Sequence, residues 1–166
     1  MVLNPSFFEI LKKDYRANRG WLLEYWTELI DMIRQRTGLF VAVNGTVEDQ
    51  HLFEPLLTGK GVHSLLGSSL QQLTDALCGA RCTISVDTGT MHLAAALGIP
   101  TVAWFGPTLP GLTGPYSKTA KHEVLQSGIS CQPCHRTASE KSCTFARCMR
   151  ELSPESVFDS MTRHLI

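Results

Sequence analysis

The segment Asp87-Thr88-Gly89-Thr90-Met91-His92 carries side chains with which a protein can take hold of an anion. It follows the apolar run Cys82–Val86 and runs into the Ala-rich stretch Met91–Leu97, so it sits where a strand ends and a helix begins. The first N–H groups of a helix have no partner inside it, and the helix dipole makes that end positive. Gly89 permits close backbone approach, and Thr88 and Thr90 offer hydroxyl donors, which together suit a phosphate. His92, in the first helical turn, can donate to phosphate or ribose. Asp87 can accept from sugar hydroxyls or cap the turn through its N–H groups. A capped turn with a solvated histidine accounts for the same residues, and the local pattern leaves both readings open.

A second constellation is Cys131, Cys134, Cys143 and Cys148, spaced C-x2-C-x8-C-x4-C. Four thiolates at this spacing resemble an irregular structural zinc site, and a zinc ion would order a segment poor in apolar residues. Unligated or disulfide-forming cysteines are an equal alternative. Cys131 to His135 also reads C-x-x-C-H, the attachment pattern of c-type haem, but that chemistry accompanies export and the N-terminus shows no signal peptide.

The elements that must position these residues follow from periodicity. Met1–Asn4 reads as a first strand cut off at Pro5, and Phe7–Arg19 as loop with some helix. Trp21–Arg36 is a helix with Leu22, Trp26, Leu29 and Ile33 on one face and Gly38 just past its end. Leu39–Val43 reads as a strand buried on both faces. Thr46 caps a helix with Leu52, Phe53, Leu56 and Leu57 inward, and Val62–Leu66 is the next strand. Ser69 with Gln72 forms a capping box opening a helix to about Gly79. Strand Cys82–Val86, helix Met91–Leu97 and strand Thr101–Phe105 follow, then a weaker strand at Glu123–Leu125. A last helix is capped by Ser153 with Pro154 at its first position. Strands alternating with helices predict a doubly wound parallel sheet, a Rossmann-like α/β fold of one domain over residues 1–166. With the common order 3-2-1-4-5-6 the ligand crevice opens where strands one and four part, beside Ser6 and Asp87. Residues 107–152 lack periodicity and predict an irregular segment held by something other than a core.

Composition removes several classes of function. Lys plus Arg equal Asp plus Glu at 15 each, with no dense basic run, which argues against a nucleic-acid partner. No apolar stretch is long enough to span a membrane. The absence of a signal peptide points to a cytoplasmic protein. There is no G-x-G-x-x-G after the first strand, which disfavours a dehydrogenase, and Gly59-Lys60 lacks the rest of a P-loop. His51, His63, His122 and His164 stand alone and read as surface or capping residues.

The block DTGTMHLAAALGIPTVAWFGPT, followed by C-x-P-C and a Ser-Pro-Glu helix start, resembles the heptosyltransferase family, glycosyltransferase family 9. Trp21-Leu22-Leu23-Glu24-Tyr25-Trp26 is similar to the family's W-P-x-E-x-W segment, and Asn44-Gly45 with Glu48 adds to the likeness. The resemblance runs from Val2 to about Leu165, although the cysteine block occurs in only some members. It implies the C-terminal, donor-binding half of a two-domain GT-B enzyme with a nucleotide-sugar between the domains. By resemblance Asp87, Thr88, Gly89, Thr90 and His92 contact the donor's phosphates and sugar, with Ser6 beside them. Glu48 approaches the nucleoside, and Arg19 stands in for a basic residue ahead of the Trp segment. The implied reaction is inverting transfer of a heptose from an ADP-heptose-like donor to a lipopolysaccharide-type acceptor at the membrane face. It requires no metal or other cofactor.

Two departures qualify that expectation. The family's basic pair before W-P reads Arg19-Gly20-Trp21-Leu22, with one cation in place of two. The domain expected to carry the acceptor site and catalytic base does not match these residues, so no catalytic base is assigned in this chain. Transfer then calls for an N-terminal domain or a partner chain, and the protein is expected in the cytoplasm, peripheral to the inner membrane. The alternative is a donor fold without catalysis that serves protein contacts.

Overall fold

The computed structural model describes residues 1–4, 20–48, 50–119 and 121–165, the side chains of 4, 164 and 165 excepted. Ser6 and Arg19 lie outside the described residues, as does the stretch read as loop with some helix.

Strand β1 (Val2–Asn4) leads through the segment ending at Trp21 into helix α1 (Leu23–Thr37). Strand β2 (Val41–Gly45), helix α2 (Gln50–Phe53) and a 3-10 turn over Glu54–Thr58 come next. Strand β3 (Val62–Leu66), helix α3 (Leu70–Cys78), strand β4 (Thr83–Val86), helix α4 (Gly89–Ala96) and strand β5 (Thr101–Trp104) then alternate. Helix α5 (Pro110–Thr113), strand β6 (His122–Leu125), helices α6 (Ala138–Ser142) and α7 (Arg147–Arg150), and helix α8 (Pro154–Leu165) complete the chain. The strands form one parallel sheet in the order β3-β2-β1-β4-β5-β6. This is the expected doubly wound topology, and the weak sixth strand is a full edge strand.

Strand alternation divides the core between the two faces of the sheet. Leu3, Val41, Val43, Ile84, Val86, Val102 and Trp104 point to one side, where Trp26, Leu29, Ile33 of α1 and Val157, Met161 of α8 cover them. Val2 points to the other side, against Leu77 of α3 and Ala94 of α4. Such helix cover on both faces is what parallel strands require. An Arg36–Glu155 ion pair bridges α1 and α8 across their exposed rim.

Local signals explain most boundaries. Gly38 takes φ 68° and returns its N–H to the Arg34 carbonyl, closing α1. In α3 the capping box is complete: Ser69 N–H donates to Gln72 Oε1 at 2.8 Å, and Gln72 N–H donates to Ser69 Oγ at 3.3 Å. Ser153 Oγ accepts from Ser156 N–H at the start of α8.

Three expectations need correction. Strand β2 starts two residues later than the apolar run, and Phe40 is 68% exposed, because the chain ahead of Val41 has not yet entered the sheet. The helix expected after Thr46 is described from Gln50, and residue 49 ahead of it lies outside the described residues. Residues 107–152 hold three short helices and send Ala146, Cys148, Met149 and Leu152 into the main core, so that core helps to order the segment. His122 is half-buried rather than a surface residue, with both ring nitrogens shielded from solvent.

Candidate functional site

Because all six strands run the same way, their carboxyl ends share one rim. The sequence Asn44 to Glu48 leaves β2 there, Asp87-Thr88 leaves β4, and Phe105 to Thr108 leaves β5. Strand β1 lies between β2 and β4, so the rim above Asn4 is the place where the helical connections part to opposite faces. Open α/β sheets bind ligands at such a switch point.

Helix α4 begins earlier than its apolar pattern suggests. Gly89 and Thr90 are its first two residues and Thr88 is the N-cap, with extended φ −144° and ψ 167°. The turn and the helix N-terminus are therefore one structure, and the leading N–H groups of α4 face the rim. A Cβ built on Gly89 would meet no protein atom within 4 Å, so the space beside it is open. Asp87, Thr88 and Thr90 are half-buried, Gly89 and His92 are exposed, and His92 is the fourth helical residue. Glu48 is exposed on the β2–α2 loop of the same rim.

The two threonines differ in a way the sequence did not reveal. Ser85 Oγ donates to the Val86 carbonyl at 2.8 Å, which uses its single proton. In the 3.0 Å contact between Ser85 Oγ and Thr88 Oγ1, Thr88 is therefore the donor, and its hydroxyl turns into the β4 turn. Thr90 Oγ1 instead accepts from Asn44 Nδ2 at 3.2 Å, a contact that passes over the end of β1.

The cysteine segment docks on the same rim. Gln132 Nε2 donates to the Phe105 and Gly106 carbonyls, both at 2.9 Å, while Gln132 Oε1 accepts from Ser127 Oγ and Gly128 N–H. The N–H groups of Cys134 and His135 both reach the Pro107 carbonyl. Glu140, 4% exposed, accepts from Arg136 N–H at 2.5 Å and lies 3.0 and 3.1 Å from His135 Nδ1. Trp21 Nε1 donates to the Leu152 carbonyl, and its ring packs against Trp26 and Trp104 beneath the segment.

All six cysteines are free thiols. Cys143 Sγ accepts the Ala146 N–H at 3.3 Å. Burial, and then Cys131, Glu140 and Cys143, raise the Cys134 thiol above its ordinary range. Burial, and then Cys134, Cys143 and Cys131, push Cys148 up to about 12. Among the described residues, no three His, Cys, Asp or Glu side chains are arranged to hold a metal ion.

Residues 8–144 match the model of glycosyltransferase family 9 (heptosyltransferase). The chain belongs to this family. Lipopolysaccharide heptosyltransferase 1 of Pseudomonas aeruginosa is 36% identical over 130 residues, covering 78% of this chain and 35% of that protein. The chain thus spans about a third of the length of this curated relative. The fold is shared with the E. coli ADP-heptose lipopolysaccharide heptosyltransferase II, at TM-score 0.76 and 22% identity over 99% of this chain and 45% of that one. It is shared also with TibC, described as a dodecameric iron-containing heptosyltransferase in complex with ADP-D-beta-D-heptose, at TM-score 0.64 and 17% identity over 99% and 46%. Asn44, Ser85, Gln132 and Glu140 drew no site assignment from sequence, because their partners are decided by strand order and by the docking of a distant loop.

Proposed function

We propose that this chain binds a nucleoside-diphosphate sugar, of ADP-heptose type, at the N-terminus of α4. It supplies the donor half of an inverting heptosyl transfer to a lipopolysaccharide-type acceptor. The observation that carries this reading is the placement of the α4 N-terminus, with open space beside Gly89, at the switch point of the sheet. Membership of a heptosyltransferase family and the ADP-heptose named for two neighbours of the same fold favour this ligand class.

In this mechanism the N–H groups of Gly89 and Thr90 bind a phosphate of the donor, while His92 and Asp87 address phosphate and sugar hydroxyls. Glu48 lies toward the nucleoside, and Ser6 and Arg19 complete the set from outside the described residues. An acceptor hydroxyl attacks the anomeric carbon as the glycosyl–phosphate bond breaks, with inversion. Its proton passes to a base on an acceptor-binding domain, and the helix terminus stabilises the negative charge gathering on the leaving diphosphate. No metal or other cofactor takes part in that step. Work on the acceptor would place the complete enzyme at the inner face of the membrane.

Calorimetric titration with ADP, UDP, GDP and CMP tests the reading. Saturable binding of one nucleoside diphosphate is the expected result. A folded chain that binds none of them would refute donor binding by this chain on its own, and would fit either a site that needs a second domain or a donor fold kept for protein contacts.

We also infer a structural zinc on Cys131, Cys134, Cys143 and Cys148. The C-x2-C-x8-C-x4-C spacing supports it, as does the N–H donated to Cys143 Sγ, a hydrogen bond that stabilises a thiolate. The side chains are not arranged as a metal site in this structure, so the ion would have to draw them together. The zinc would hold the segment on the rim and take no part in transfer. Elemental analysis of purified protein should find near-stoichiometric metal, with iron read alongside zinc. No metal and four titratable thiols would refute the inference.

A further inference from the structure

We infer that Thr90 is the side-chain hydroxyl that donates to the donor's diphosphate, and that Asn44 is the positioning residue that orients it. The inference rests on the function proposed above and adds an assignment within that site. The candidate hydroxyls on the β4–α4 turn are those of Thr88 and Thr90. Thr88 gives its proton to Ser85 Oγ, because Ser85 has already given its own to the Val86 carbonyl. Thr90 is in the opposite state. Its oxygen accepts from Asn44 Nδ2 at 3.2 Å, so its one proton points away from that amide.

Direction matters as well as presence. A phosphate oxygen accepts and never donates, so a hydroxyl serves it only with the proton turned outward. Held at the second position of α4, the Thr90 oxygen lies among the leading N–H groups and adds one more donor to the same set. Asn44 reaches it from the end of β2, passing over β1, which ties the two sides of the crevice together at the ligand. Ala at position 44 would leave the Thr90 hydroxyl free to rotate. Val at position 90 would remove the donor while keeping the side-chain shape.

The test is a cycle of Asn44→Ala, Thr90→Val, the double variant and Thr90→Ser, each titrated with ADP and checked by thermal melting. Thr90→Val should weaken ADP binding about tenfold, which is about 1.4 kcal/mol. Thr90→Ser, which keeps the hydroxyl, should stay within about twofold, and Asn44→Ala should cost about threefold. In the Thr90→Val background Asn44→Ala should cost nothing further, since its effect runs through the hydroxyl. A purely structural Asn44 would lower the melting temperature and cost the same in both backgrounds, which would overturn its role. Wild-type affinity in Thr90→Val would overturn the assignment of the donor while leaving the proposed function intact. If Thr90→Val fails to fold, Thr90→Ser and Asn44→Ala decide: a loss in Asn44→Ala that melts normally upholds the inference, and no loss overturns it. A wild-type chain that binds no nucleotide removes both readings together.

Discussion

Gly89 offers the sharpest probe of where the ligand sits, because the protein itself does not need a glycine there. Its φ lies outside the left-handed region, it begins α4, and an added Cβ would meet no protein atom within 4 Å. We predict that Gly89→Ala leaves the fold intact and stabilises it by about 0.4–1 kcal/mol, because the unfolded chain loses freedom. For a domain of this size that raises the melting temperature by about 1–4 °C. Binding should move the other way. A methyl group in that open space holds the phosphate away from the N–H groups of Gly89 and Thr90, and a hydrogen bond to a charged group contributes about 1.5–3 kcal/mol. Loss of one such bond raises the dissociation constant for ADP about 10- to 150-fold, at 1.4 kcal/mol per tenfold. Gly89→Val, with a larger side chain, should lie at the upper end. The assay is calorimetric titration beside a melting curve on the same sample. Wild-type affinity in a folded Gly89→Val chain would mean that no ligand approaches this helix end, and the site would have to be sought elsewhere on the rim.

Two further predictions concern the scaffold. Burial pushes the Cys82 thiol up to about 12, whereas in the unfolded chain it ionises near its ordinary value of 9. Above that value the unfolded state has lost a proton that the native state retains, so stability falls with rising pH by up to about 1.4 kcal/mol per unit, and Cys82→Ala should flatten the slope in urea melts from pH 8 to about 11. Ser69→Ala removes the acceptor of the α3 capping box and should cost about 1 kcal/mol by denaturant melting, with nucleotide affinity unchanged because β2 and β1 separate the end of β3 from that of β4.

The strand order was legible because each strand is short, apolar and followed by a helix with a recognisable cap or stop, as at Gly38, Ser69 and Ser153. Periodicity misjudged positions where burial depends on a neighbour out of sequence. Phe40 is as apolar as Val41, yet only Val41 of the two pairs in the sheet, with Val62 of β3, and is buried. Cys148 and Met149 lie on a four-residue helix, too short to show a period, and are buried because a distant loop carries them onto the sheet. The Asp87–His92 turn announced itself through residue type, whereas the opposite orientations of Thr88 and Thr90 depend on Ser85 and on an asparagine from another strand.

The seam of the sheet bears on how the chain assembles. Strands β2 and β3 are neighbours in sequence, as are β4, β5 and β6, so each set pairs at modest loop-closure cost. The two sets meet only through β1, three residues long, whose Val2 faces Ala42 on one side and Thr83 on the other. A chain emerging stepwise holds β1 against β2 alone until Thr83–Val86 arrives. The centre of the sheet, and with it the rim that carries Asn44 and Thr90, therefore rests on a pairing between strands far apart in sequence, and such distant contacts slow its closure. A destabilising change in Val2 or Leu3 would slow formation of the crevice before it disturbed either set of strands.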